Sequence, residues 1–316
     1  MIERRTIRFE HELLAGLELP CFEATGPRDG PHLCLLGGIH GGEYSSIAAL
    51  VRFMSALDSN ALAGRITAVP IVSMPSFRAR SAFVVPQDGK NLNRCFPGSR
   101  DGTFSDALAL HVFEELIAPS DAMLDLHGGD MVEELEPFAL YDESSVEDQA
   151  RALAIAFDLP YVVRSAPAVA PISGTTTSAA AAAGVPAAIA EVGGRGLLEN
   201  DAVQQHLRGL DNALRHLGML PGDPAPPRAD MRSVGRFVWL RCECEEEGWW
   251  ETEVRAGDVV GTGEGLGTVR NLFGDVRERI AAPEDGVVLF VTTSPAVEAD
   301  GLLVGLGVDI ADLGTS

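Results

Sequence analysis

Lysine is nearly missing from this 316-residue chain: Lys90 stands alone, and arginine supplies the rest of the 24 basic side chains. Schiff-base chemistry or lipoyl or biotinyl attachment is therefore confined to that one position. Positive charge is scarce as a whole. With 46 acidic side chains the formal charge is −22, which argues against non-specific binding to nucleic acid or anionic lipid, since both are polyanions. Long apolar runs are missing too. The most apolar stretch, about Ser178 to Ala190, is alanine-rich and broken by Gly184 and Pro186, short of the ~20 apolar residues a membrane span needs. The opening MIERRTIRFEHELLAG is charged throughout and shows neither the apolar stretch nor the cleavage site of a signal peptide. Five cysteines, at 21, 34, 95, 242 and 244, are an odd set that suits a reducing cytoplasm better than a disulfide framework. Cys242 and Cys244 form C-x-C rather than C-x-x-C, so no zinc knuckle is expected there. A soluble cytoplasmic protein is expected. What the chain does have is core material: 46% hydrophobic against 22% charged residues excludes a disordered or collagen-like chain.

Up to about residue 220, β-like runs alternate with helical stretches. HLCLLGG (32–38) is a continuous apolar run ending in glycines, and SSIAALVRFMSAL (45–57) has helical apolar spacing, which together predict strand, turn and helix. RITAVPIVSM (65–74) predicts a second strand, DALALHVFEELI (106–117) a helix, AMLDLHGG (122–129) a third strand and VPAAIAEVGG (185–194) a fourth. The alternation predicts an α/β fold whose sheet is mostly parallel or mixed, with helices on both faces. PGDPAPPRAD (221–230) lacks apolar periodicity and predicts a linker, dividing the chain into domains 1–222 and 223–316. The second is expected to be glycine-rich and all-β, with a hairpin over VWLRCECEEEGWWETEV (238–254) turning at Glu245–Gly248. Its cadence resembles the barrel-sandwich arrangement of lipoyl and biotinyl domains, but the carrier lysine is missing, which excludes a swinging-arm role.

Chemistry concentrates in four short motifs. HGGEY (40–44) lies where the first core strand ends and its helix begins, the mouth at which open α/β sheets place ligands. His40 and Glu43, three residues apart, can face one side of a tight turn and reach a single ion. His127, in LDLHGGD (124–130), offers a third ligand from another strand end. Two histidines and a glutamate with an open fourth position form a catalytic zinc pattern, because structural zinc prefers four closed ligands. A lone histidine at a strand end more often caps it by hydrogen bonding; the shared setting of these two favours metal. His11, His32, His111, His206 and His216 lack such company and are expected at the surface or in the core.

In DGKNLNRCFPG (88–98), Asp88-Gly89 reads as a turn, and Asn91, Asn93 and Arg94 set amides beside a guanidinium. Arginine's planar fork grips a carboxylate through two bonds and asparagine adds a donor, so a substrate carboxylate is the natural guest. A polar surface loop would have the same composition. Glu191 ends the apolar strand of VPAAIAEVGGRG, where burial raises a carboxyl's pKa towards neutrality, as a general base requires. The competing role is an ion pair with Arg195 or a helix N-terminus. The acidic run VEELE (132–136) offers rival carboxylates and is expected to be a solvated loop.

Taken in order, GGIHGGEY, DGKNLNRCFPG, LDLHGG and AEVGG resemble the succinylglutamate desuccinylase and aspartoacylase family, relatives of the zinc carboxypeptidases, over roughly residues 30–200. The resemblance implies that His40, Glu43 and His127 bind one zinc ion, that Asn93 and Arg94 hold the substrate carboxylate, and that Glu191 is the catalytic carboxylate. The region after residue 222 is similar to the family's C-terminal domain, whose proposed role is to cover part of the active-site mouth. SGTTTSAAAAAGVPA is similar to a bacterial branch that includes N-acetyl-diaminobutyrate deacetylases. The family has a further arginine upstream of NLNR that polarises the scissile carbonyl; spacing offers Arg80 or Arg78, with Ala82 and Phe83 nearer the expected place. The implied activity is zinc-dependent hydrolysis of the amide of a small N-acyl amino acid, acetyl- or succinyl-type. Competing readings are a zinc carboxypeptidase acting on peptides and an inactive small-molecule-binding relative. A small-molecule partner, no nucleic acid, no membrane and a homo-oligomer complete the expectation.

Overall fold

Apolar runs such as Leu33–Leu36 and Ala122–Leu126 are covered on both faces when helices flank a sheet, which is why they lack the polar alternation of a half-exposed strand. The computed structural model describes residues 1–166, 173–244 and 247–313. In chain order, β1 (Ile2–Arg8), β2 (Glu18–Thr25) and β3 (Arg28–Gly37) are followed by α1 (Tyr44–Ala56), β4 (Ala63–Val69), α2 (Met74–Ala79) and α3 (Phe104–Val112). Next come β5 (Ala122–His127), β6 (Glu133–Leu135), β7 (Phe138–Asp142), α4 (Glu147–Ala156), β8 (Tyr161–Ser165), α5 (Thr176–Ala182), β9 (Ala187–Glu191) and α6 (Asn200–His216). Beyond the proline-rich 221–230 stretch only strands follow among the described residues: β10 (Arg232–Arg241), β11 (Gly248–Thr252), β12 (Val259–Val260), β13 (Gly265–Arg270), β14 (Val276–Ala281), β15 (Gly286–Thr292), β16 (Ala296–Val297) and β17 (Leu302–Asp312).

The large sheet runs β1-β2-β4-β3-β5-β9-β7-β8-β10-β17-β15-β12, with β6 beside β15. Strands β4, β3, β5 and β9 pair in parallel, β7 runs antiparallel to β9, and β8 lies parallel to both β7 and β10. The sheet is therefore mixed and has helices on both faces. Leu50, Phe53 and Met54 of α1 join Leu153 of α4 and Leu210 of α6 in one core. Leu108 and Val112 of α3 join Ala179 and Ala180 of α5 in the other.

Two local expectations are corrected. Among the described residues of 238–254, β10 and β11 do not pair as a hairpin: β10 pairs with β17 and β8, whereas β11 belongs to the separate four-stranded sheet β14-β13-β11-β16, and residues 245–246 of the expected turn lie outside the described residues. Alternation along each strand fixed which residues face together, but not which strand lies alongside. Nor is VEELE a solvated loop. Glu133–Leu135 pairs antiparallel with Phe290–Thr292, which folds Glu133 inward. The predicted helix over 106–117 is α up to Val112 and then a single π turn over Phe113–Ile117.

Candidate metal centre and active-site cavity

Parallel strands deliver their C-terminal ends to one edge, and three of the four motifs meet there. His127 and Glu191 are register partners at the ends of β5 and β9, and His40 lies just past the end of β3. The turn that carries His40 is tight: a Cβ on Gly41 would run into the backbone of Phe77, and one on Gly42 into the Asp130 carboxylate. Glu43 occupies the N-cap of α1 without capping it. The helix N-terminus favours negative charge there, while the carboxylate turns to the two imidazoles.

Glu43 Oε1 lies 2.7 Å from His40 Nδ1, and Oε2 lies 3.1 Å from His127 Nδ1. The backbone N–H of Gly128 donates to Oε2 at 3.3 Å. Each imidazole uses its other nitrogen on a protein oxygen. His40 Nε2 donates to Asn91 Oδ1 at 3.0 Å, and His127 Nε2 to Asp125 Oδ2 at 2.9 Å. These partners are themselves fixed, since Asn91 Oδ1 also accepts from the Asn93 N–H and Asp125 Oδ2 accepts from Thr176 Oγ1 at 2.5 Å. Two Nδ1 atoms and one carboxylate, all within 4.8 Å of one another, with an oxygen acceptor behind each ring, form a donor set that can hold a divalent metal.

The electrostatics follow. Burial alone would raise the Glu43 carboxyl, but the two imidazoles outweigh it and hold its pKa down to about 2. Burial alone would lower His40 and His127, yet Glu43, with Asp125 beside His127, raises both above the ordinary value. Glu191 moves the other way: desolvation outweighs the imidazoles and lifts it to about 8. Glu133, desolvated and close to Glu43, rises to about 7. Arg195 takes Glu199 at 3.0 Å as its partner, so Glu191 is left to the cavity rather than tied in an ion pair.

The cavity has a volume of about 630 Å³, and its walls include His40, Glu43, Asn93, Arg94, Glu133 and Glu191. The NLNR segment is a short 3-10 turn over Leu92–Arg94 started by Asn91. Its preceding Asp88 is anchored to the Thr103 and Ser105 hydroxyls. Asn93 is buried with its Oδ1 accepting from the Thr176 N–H at 2.9 Å, and Arg94 extends into the cavity. Desolvation lowers Arg94 somewhat, while Glu191 favours its charge. Arg80 and Arg78, by contrast, are exposed at the end of α2 and are not among the lining residues. Phe83, with φ 58°, faces the cavity instead, its N–H donating to Asp130 at 2.6 Å.

Four participants were not assigned roles from the sequence. Asp125 could have been found, because it stands two residues before His127 and residues i and i+2 of a strand share a face. Thr176, Glu133 and Arg241 could not, since each arrives from a separate element. Of the remaining histidines, His206 is buried and held neutral by desolvation, at about 4. Cys242, Cys244 and Glu278 also lie close together, but desolvation and Cys242 push the Cys244 thiol up to about 12, so it stays protonated beside Glu278 at 3.5 Å.

Fold and site together define an α/β protein whose cavity carries a donor set able to hold a divalent metal. Residues 29–217 match the succinylglutamate desuccinylase/aspartoacylase catalytic domain, and the chain belongs to that family of enzymes acting on amide bonds. It is 33% identical over 270 residues, 82% of this chain and 77% of the other, to the N-alpha-acetyl-L-2,4-diaminobutyric acid deacetylase of Halomonas elongata. Among solved structures it is similar to the product-bound ectoine utilization protein EutE (DoeB) from Ruegeria pomeroyi, with TM-score 0.84 and 25% identity over 97% of this chain and 95% of that one. A succinylglutamatedesuccinylase/aspartoacylase from Rhodobacter sphaeroides shares the fold, with TM-score 0.83 and 24% identity over 99% and 96% of the two chains.

Proposed function

We propose that this chain is a zinc-dependent deacylase that hydrolyses the amide bond of an N-acyl amino acid. The observation that carries the reading is the convergence of His40 Nδ1 and His127 Nδ1 on the Glu43 carboxylate, with Asn91 and Asp125 behind the rings. Nitrogen and carboxylate donors from three residues suit zinc with one position free for chemistry. When bound, zinc supplies a Lewis acid that polarises the scissile carbonyl and makes a water acidic enough to ionise near pH 7.

The chain's own residues do the rest. Glu191, with its pKa raised to about 8 by burial, accepts the proton of the attacking water and returns it to the leaving amine. Arg94 reads the amino-acid carboxylate through its two-pronged guanidinium, and buried Asn93 fixes the turn that aims it. A cytoplasmic location is supported by the five unpaired cysteines.

The test is metal analysis of protein purified without chelator, followed by hydrolysis of acetyl-diaminobutyrate, acetyl-aspartate and succinyl-glutamate. One zinc per chain and amine release that stops on chelation and returns with zinc support the reading. Persistent absence of zinc after supplementation would favour a binding protein, and cleavage of dipeptides in preference to acyl amino acids a carboxypeptidase.

A further inference from the structure

Aromatic residues make up only 6% of the chain, yet four rings gather on one side of the active-site cavity. Strand β10 alternates Phe237, Trp239 and Arg241 towards it. Phe237 lies 4.8 Å from Trp239 and 5.8 Å from Phe290 between ring centroids, Trp239 lies 5.3 Å from Phe290, and Phe138 lies 6.0 Å from Phe237. Gly305 pairs with Trp239 across the sheet, and a Cβ there would strike the Phe290 and Phe237 rings, so the backbone leaves room for this cluster. Leu140, Val163 and Leu302 extend the same apolar floor. Phe138 is the register partner of Glu191, which joins the floor to the catalytic end. Arg241, at the far end of the β10 stripe, lines the same cavity as Arg94, with its Nη1 donating to the Asp300 carbonyl at 2.8 Å.

We propose that this floor is a subsite for a bulky apolar substituent, making the preferred substrates N-acyl amino acids that carry a large hydrophobic or aromatic group on one side of the scissile amide. The inference rests on the deacylase reading. Room is not limiting: about 630 Å³ holds roughly twenty waters at ~30 Å³ each, well beyond an acetylated small amino acid. The substituent is either the amino-acid side chain or the acyl chain, since both flank the scissile amide.

The experiment measures kcat/KM of the zinc-loaded enzyme for acetyl-phenylalanine, octanoyl-alanine, acetyl-alanine and acetyl-diaminobutyrate. The proposal expects at least one apolar substrate to exceed acetyl-alanine about 10-fold or more, the low end of what burying one such group delivers, and the two apolar arms say which substituent binds. Trp239→Ala should collapse that ratio towards one. Hydrolysis of acetyl-alanine or acetyl-diaminobutyrate at rates equal to or above both apolar substrates in the wild-type enzyme would overturn the subsite and leave the deacylase reading standing. Hydrolysis of none of the four, nor of acetyl-aspartate or succinyl-glutamate, in protein that holds zinc would sink the deacylase reading itself.

Discussion

Replacing Glu191 by Gln tests the mechanism most sharply, because the change is nearly isosteric and removes only the ionisable proton site. Glu191 alone stands at the end of β9, Glu133 reaches the same cavity from β6, and Glu43 is committed to the imidazoles. General acid–base catalysis contributes about 10²- to 10⁴-fold, or roughly 3–5.5 kcal/mol at 1.36 kcal/mol per decade. The variant should therefore retain its metal, shown by elemental analysis, and lose kcat by at least a hundredfold. The same substitution predicts a stability signature. In the unfolded chain Glu191 titrates near 4.5, and in the metal-free fold burial lifts it to about 8. The fold thus binds this proton more tightly than the unfolded chain, and stability is lost as pH rises between those values. At 1.36 kcal/mol per pH unit the loss is at most about 5 kcal/mol. Metal-free Glu191→Gln should melt with the wild-type protein at pH 5 and above it at pH 9. Activity within about fivefold of wild type would refute the proton-transfer role; equal melting temperatures at pH 9 would refute the burial argument.

Three further outcomes are expected. Asp125→Asn weakens the acceptor behind His127 and should cut zinc affinity about 10- to 100-fold, read by competition with a chromophoric chelator; unchanged affinity would remove Asp125 from the metal centre. Zinc affinity should also fall as pH drops through neutrality, because His40 and His127, raised above their ordinary values by Glu43 and Asp125, must shed protons before binding; calorimetry in buffers of different ionisation enthalpy would count the protons released. Arg94→Ala should raise KM about tenfold or more for substrates bearing a free carboxylate and much less for the corresponding amides. A uniform loss on both would mean that Arg94 supports the fold and not the carboxylate.

Much of the site was legible because its residues sit at the ends of strongly patterned strands. LDLHGG and AEVGG each end an apolar run on a polar side chain, His127 and Glu191, and the sheet's parallel order brings those stops to one edge. The expected arginine upstream of NLNR was not legible: Arg80 and Arg78 end on the exposed side of α2, while Phe83 turns inward through a left-handed backbone anchored to Asp130. Spacing alone could not distinguish those positions, since left-handed backbone at Arg80 and Phe83 redirects the chain there.

The sequence by itself determined the pieces: which runs become buried strands, which side chains stand at their ends, and the His40-Glu43 pair, because three residues of a tight turn suffice to bring them together. Only the tertiary structure decided what the pieces face. Strand β10 continued the catalytic sheet beside β8 instead of folding back on β11, and β6 crossed to β15, carrying aromatic rings, Arg241 and Glu133 to the cavity. Local patterning sets a strand's buried face, but the choice of neighbour depends on packing between residues far apart in the chain.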